Sequence, residues 1–300
     1  MKIISLHKKE DPLNPKNYRP VAIVPILSKI LERLIFNQTI QYLTENKLLH
    51  PNHHAYRVHH NTTTALIQMC DAWLESVGEG ELAGACFLDM SAAFDIVNHS
   101  LLIQKLRLYG FESNIIEWIQ SYLSDRSQCV SIDGALSKLL PVRHGVPQGS
   151  ILGPLLYTLF TNELPEIMHD HSSEEPGPHP KYNMSCKQCG NTTCYADDTS
   201  FTCSDPDPVA LSEKLTSMYK VISTFLASNE LKLNDDNTHL IVLATNQTRR
   251  IVDPEATVEI RTPTEIIRPS ACEKLLGGWI HQDLKWDEHI RNNDESLIKL

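Results

Sequence analysis

Two adjacent aspartates, Asp197 and Asp198, stand between two short strand-forming runs, Thr193-Cys194-Tyr195-Ala196 and Thr199-Ser200-Phe201-Thr202. The pattern reads as a β-hairpin with the acid pair at its tip. A turn projects both carboxylates into one place, where they repel strongly unless a cation lies between them. A third acid, Asp89, follows another strand-length run, Gly84-Ala85-Cys86-Phe87-Leu88. Three carboxylates on two strand ends suit a pair of divalent ions, and paired metals drive phosphoryl and nucleotidyl transfer. Singly, each acid has a plainer reading: acidic turns are mostly solvated, and Asp89 alone would pass for a cap after its strand.

At 300 residues the chain is long enough to bury a sizeable core as one large domain or two smaller ones. No apolar run approaches the roughly 18 residues of a membrane helix, and the start, Met1 to Lys9, is too briefly apolar for a signal peptide. An intracellular chain with no membrane segment is expected, in nucleus or cytoplasm. The eight cysteines are too scattered for a disulfide framework, and Cys70, Cys86, Cys129 and Cys272 read as reduced core thiols. A net charge of −10 argues against bulk electrostatic binding of nucleic acid. It leaves room for a locally basic groove, or for metals that neutralise the acids.

Along the chain, a proline-marked basic loop spans residues 8–20. A helix is expected from about Ser28 to Asn46, capped by Ser28, with Ile30, Leu31, Leu34 and Ile35 on one face. His53 to Thr64 reads as a polar loop with exposed histidines, followed by a helix through Ala65, Leu66, Met69, Trp73 and Leu74. Further helices are expected over about Ser100–Tyr109, from Asn114, over Ile151–Asn162 and from Asp207 to about Asn229. Cys129–Ile132 and Leu139–Val142 flank an Asp133-Gly134 turn. Leu82–Leu88, Leu240–Leu243, Val258–Arg261 and Ile266–Arg268 read as strands. Strands pairing across long separations, with helices on one face, indicate an α+β palm-like domain.

In order, five segments resemble the reverse transcriptase of non-long-terminal-repeat retrotransposons, the jockey-like group in particular. They are Asn17-Tyr18-Arg19-Pro20; Phe87 to Asp95; Gly145-Val146-Pro147-Gln148-Gly149-Ser150-Ile151-Leu152-Gly153-Pro154; Tyr195-Ala196-Asp197-Asp198; and Leu275-Leu276-Gly277. The resemblance implies a fingers–palm polymerase: fingers over 1–80, palm over 81–164 and 193–285, a polar Cys/His insert over 165–192, and a truncated thumb from 286 to 300. Asp89, Asp197 and Asp198 would bind two Mg²⁺ ions, with Mn²⁺ as a substitute. Phe94 would lie under the incoming sugar and exclude a 2′-hydroxyl, while Pro147, Gln148 and Gly149 shape the nucleotide and template pocket. Arg19 would grip the triphosphate, helped by Lys8 or Lys9, and Tyr195 counts with the substrate-binding residues. Arg57, in His54-Ala55-Tyr56-Arg57, is similar to a template-side fingers motif. The implied partners are an RNA template, a DNA primer and deoxynucleoside triphosphates. Rival readings are a catalytically impaired remnant that only binds nucleic acid, and an RNA-dependent RNA polymerase with the same palm.

The sequence departs from the family at Asn237, where lysine is usual; asparagine has no proton to give to departing pyrophosphate, which should slow the chemistry. The resemblance also places a thumb after Trp286, and an endonuclease segment belongs before residue 1 of a complete element protein. In the insert, Cys186-Lys187-Gln188-Cys189 has the spacing of a zinc half-site. Cys194 and His169, His171 or His179 would complete it; the alternative is a surface loop with spare thiols.

Overall fold

The strand Leu82–Leu88 is buried at every position, and it organises the larger part of the fold. In the computed structural model, residues 1–7, 11–132, 134–167, 191–285, 287, 290 and 291 are described. In chain order, β1 (Lys2–His7), β2 (Tyr18–Ile23), α1 (Ile26–Glu45) and α2 (Thr62–Gly78) lead to the central β3 (Leu82–Leu88). Then come α3 (His99–Leu108), α4 (Ser113–Leu123), β4 (Ser127–Ile132), β5 (Ala135–Leu136), β6 (Leu140–Pro141), α5 (Leu152–Thr161) and α6 (Leu164–Ile167). After the insert follow β7 (Asn191–Tyr195), β8 (Asp198–Asp205), α7 (Pro208–Ser228) and β9 (His239–Leu243). The last elements are α8 (Asn246–Ile251), α9 (Pro254–Thr257), β10 (Ile260–Arg261), β11 (Ile266–Ile267), β12 (Cys272–Leu275) and β13 (Gly278–His281).

The chain divides into two compact units, each drawing on three stretches of sequence. One comprises Met1–Leu49, Ala92–Asn162 and Asn229–Leu231; the other comprises His50–Ser91, Glu163–Ser228 and the chain from Lys232 onward. In the second unit the strands run β7-β8-β3-β9, all antiparallel. Because β3 is paired on both sides, its backbone groups are satisfied and it needs no polar face. Side chains alternate across a strand. Ala83, Ala85 and Phe87 therefore join Met69 and Trp73 of α2, with Ile241, Leu243, Leu275 and Ile280, in one apolar cluster. Gly84 faces the other way, where an added Cβ would stand 2.8 Å from Leu215 of α7. Helices thus cover both faces of the sheet, not one as the sequence suggested, because β3 is apolar at every position and leaves neither face to water.

In the first unit, β1 pairs antiparallel with β2 and parallel with β4, and β4 pairs with both β5 and β6. α5 is buried along nearly its whole length. Its first N–H groups, those of Ile151 and Leu152, donate to Glu32 Oε2 at 2.7 and 3.2 Å, and Lys105 Nζ donates to the Phe160 carbonyl at 2.8 Å near its other end. An anion at the start and a cation at the end match the helix dipole, which is why these two charges are buried. α1 departs from expectation. It begins at Ile26 after Pro25, with Ser28 inside it, and Ile30, Leu31 and Leu34 are exposed while Glu32, Thr39 and Leu43 are buried. The periodicity was real, but the duty of capping α5 turns the Glu32 side inward.

Candidate functional site

The acids lie at one end of the four-stranded sheet of the second unit. β3 ends with Leu88 opposite Thr199 of β8, and β8 begins with Asp198 opposite Tyr195 of β7. Carried one residue further, this antiparallel register sets Asp89 beside Asp198, at the same sheet end as the turn Ala196–Asp197. The hairpin is as tight as the sequence suggested: only Ala196 and Asp197 lie between the paired Tyr195 and Asp198. Ala196 takes φ +57°, a left-handed conformation that costs a non-glycine residue roughly 1–3 kcal/mol. The ladder on both sides of β8 holds the turn against that strain.

Asp89 is half-buried. Its Oδ2 accepts from the side-chain amides of Asn234 and Asn237, at 2.9 and 3.0 Å, and its carbonyl accepts from the Asn234 N–H at 2.9 Å. Among the described residues no cation pairs with Asp89 or Asp197. Asp197 is half-buried and Asp198 exposed. Among the described residues no three His, Cys, Asp or Glu side chains converge closely enough to hold a metal ion. The donor set is therefore not a closed protein cage. An open set of one or two carboxylates is the kind that Mg²⁺ commonly uses, with substrate phosphates and water completing the shell.

The loop before α2 supports the hairpin from its outer side. His54 N–H donates to the Cys194 carbonyl and Cys194 N–H to the Asn52 carbonyl, both at 2.9 Å, so residues 52–54 run beside β7. Arg57 shapes this loop: its Nη1 donates to the carbonyls of His50, Pro51 and His53 at 2.9, 3.2 and 3.1 Å. Its guanidinium is engaged within the protein. His53 and His54 are buried, not exposed as their polar surroundings suggested, because the loop packs against β7. Burial first, and then the nearby His60 and Arg57, pull His54 down to about 4. A histidine held neutral in the fold takes up its proton more readily when unfolded. Its contribution to stability is complete above about pH 6.5, and it is lost as pH falls from there towards 4. In a His54→Leu variant the acid-side decline of the urea midpoint between pH 6.5 and 4 should flatten.

The residues expected at the nucleotide pocket lie in the first unit. Phe94 is half-buried, its ring 4.7 Å from that of Tyr157. Pro147 is buried, and Gln148 donates its side-chain amide to Asp95 Oδ2 at 3.1 Å while its carbonyl accepts from the Ala22 N–H at 2.8 Å. Gly145 needs its identity: at φ +85°, a Cβ would stand 2.5 Å from the Asp95 carbonyl oxygen. Gly149, at φ +96°, would bring one to 2.9 Å from the Ala22 carbonyl oxygen. Arg19 is exposed on β2, opposite Leu6. Tyr195 is half-buried in the second unit. Lys8 and Lys9, and all the zinc candidates except Cys194, lie outside the described residues. Cys194 is a buried residue of β7 whose thiol burial pushes up to about 12.

Residues 6–269 match the family of reverse transcriptases, described as RNA-dependent DNA polymerases. The chain belongs to that family. It is 28% identical over 297 residues to the RNA-directed DNA polymerase from mobile element jockey of Drosophila melanogaster, covering 98% of this chain and 30% of the relative. It is 30% identical over 294 residues to the probable RNA-directed DNA polymerase from transposon BS of the same organism, covering 96% and 30%. It thus spans about 30% of the length of these curated relatives. Among solved structures, telomerase from Candida albicans, in complex with a fragment of telomeric RNA, matches with a TM-score of 0.57 at 14% identity, over 94% of this chain and 44% of that one. Apo telomerase from Candida tropicalis, truncated from its C-terminal domain, matches at 0.53 and 14%, over 87% and 45%. The chain has the α+β fold of palm-type polymerases, as the sequence indicated. Among its described residues no helix is long and apolar enough to cross a membrane.

The contacts of Asn234 and Asn237 with Asp89 were not legible beforehand. The one signal in the sequence is the departure from lysine at Asn237.

Proposed function

We propose that this chain carries the polymerising centre of a retrotransposon reverse transcriptase, adding deoxynucleotides to a primer 3′-hydroxyl on an RNA template. The observation that carries the reading is the strand register, which brings Asp89 to the same sheet end as the Asp197–Asp198 hairpin although more than a hundred residues separate them. Asp89 and Asp197, with Asp198, would hold Mg²⁺ or Mn²⁺. When bound, such ions lower the pKa of the attacking hydroxyl and neutralise the triphosphate. The chain's own task is to hold these carboxylates at a rigid strand end, so that charge is in place before substrate arrives. Arg19 presents an exposed guanidinium suited to triphosphate oxygens. Gln148, anchored through its carbonyl to β2 and through its amide to Asp95, holds the loop that shapes the base pocket.

Primer extension on an RNA template with Mg²⁺ and deoxynucleotides tests the proposal directly. Extension that stops when either template or Mg²⁺ is withheld supports it, whereas its absence under all conditions sinks it. Phe94 gives a second test. Its ring, fixed against Tyr157, is proposed to leave no space for a 2′-hydroxyl. Phe94→Ala should raise incorporation of ribonucleotides relative to deoxynucleotides by about 10- to 100-fold, the span of a few kcal/mol of lost exclusion. A variant with unchanged preference would show that the steric account is wrong.

A further inference from the structure

Asp89 receives two neutral donors on one oxygen, Oδ2. The segment after β3 is paired with the segment after α7: Met90 bridges Leu233, Ser91 N–H donates to the Lys232 carbonyl at 2.9 Å, and Asn234 N–H donates to the Asp89 carbonyl at 2.9 Å. Asn234 is therefore held in register with Asp89 by backbone alone. Asn237 closes the single 3-10 turn Asp235–Asn237 that follows, so its side chain returns to the same carboxylate. A carboxylate oxygen has two acceptor positions, and the two amides fill both on Oδ2.

We propose that Asn234 and Asn237 are positioning residues that clamp Asp89 by Oδ2 and present Oδ1 alone to a catalytic divalent cation. Because amides carry no charge, the clamp orients the carboxylate without neutralising it. A lysine at 237 would instead place an ammonium against the oxygen and compete with the metal. On this view Asn237 is not merely a lost proton donor: in this chain the position orients a metal ligand. The inference rests on the reading of Asp89 as such a ligand.

The test measures Mn²⁺ binding by electron paramagnetic resonance, with primer–template bound, alongside the Mg²⁺ dependence of extension. Removal of one outer hydrogen-bond partner of a metal ligand typically lowers affinity or activity 10- to 100-fold. Asn237→Ala and Asn234→Ala should each weaken Mn²⁺ binding about tenfold and raise the Mg²⁺ needed for half-maximal rate to match. Primer–template affinity should stay at the wild-type value, and high Mn²⁺ should restore much of the rate. Asn237→Gln, which keeps the amide, should recover part of the loss. Asp89→Asn separates the role of Asp89 as a ligand from the clamp that positions it. If the wild type binds no more Mn²⁺ than Asp89→Asn, the assignment of Asp89 as a ligand fails and the clamp with it. If Asp89→Asn loses the ion but both alanine variants retain wild-type affinity and Mg²⁺ requirement, the clamp alone is overturned.

Discussion

Asp197→Asn should reduce template-directed extension about a thousand-fold or more while leaving the chain as stable as before. The substitution preserves shape and removes one negative charge from the turn Ala196–Asp197. A metal-mediated site draws several kcal/mol of transition-state stabilisation from its ions, and about 4 kcal/mol corresponds to a thousand-fold in rate. Stability should move the other way if it moves at all. Asp197 has no cation partner among the described residues and lies beside a second carboxylate in sequence, so discharging it relieves repulsion. Extension rates at saturating deoxynucleotide, paired with urea unfolding followed by circular dichroism, separate the two effects. A variant that lost activity only in proportion to lost folded protein would speak against a chemical role for Asp197. A variant that extended primers at the wild-type rate would remove it from the site altogether.

The largest effect on folding should come from Trp73→Ala, which is expected to destabilise the chain by about 3–5 kcal/mol. Trp73 is fully buried in the cluster between α2 and the face of the sheet that carries Ala83, Ala85 and Phe87. Its ring meets Phe87 edge-on at 6.4 Å, and its indole N–H donates to Thr202 Oγ1 at 2.9 Å. Truncation would empty the volume of an indole beneath the central strand and leave the Thr202 hydroxyl without that donor. Trp73→Phe separates the contributions: it keeps most of the ring and removes the donor, so a loss of about 1–2 kcal/mol is expected. The urea midpoint by circular dichroism reads both. An alanine variant within about 1 kcal/mol of wild type would show that this face is not what holds the sheet together. Because Asp89 directly follows β3, a loosened sheet should also lower extension even at temperatures where the variant remains folded.

Much of this was legible in the order of residues. The hairpin at Asp197 was readable because a two-residue turn between strand-formers has few alternatives, and α7 because its apolar stripe and its proline-marked start both point to a helix. Elements whose partners are distant were read less well. The apolar residues of α1 look like a core face, yet Ile30, Leu31 and Leu34 are exposed, since the helix is turned by the contact between Glu32 and the start of α5. His53 and His54 look like loop polar groups, yet both are buried beside β7. In each case a hydrogen bond to a residue not adjacent in sequence decided the outcome, and local pattern carries no record of that partner.

By itself the sequence determined the local elements, the acidic turn and the family, because these depend on residue types at short spacing and on motifs in order. Only the tertiary structure decided which oxygen of Asp89 is occupied and by what. That answer required β3, the segment after α7 and the turn at Asp235–Asn237 to be brought into one register. Hydrogen bonds act over about 3 Å, whatever the number of residues between the partners.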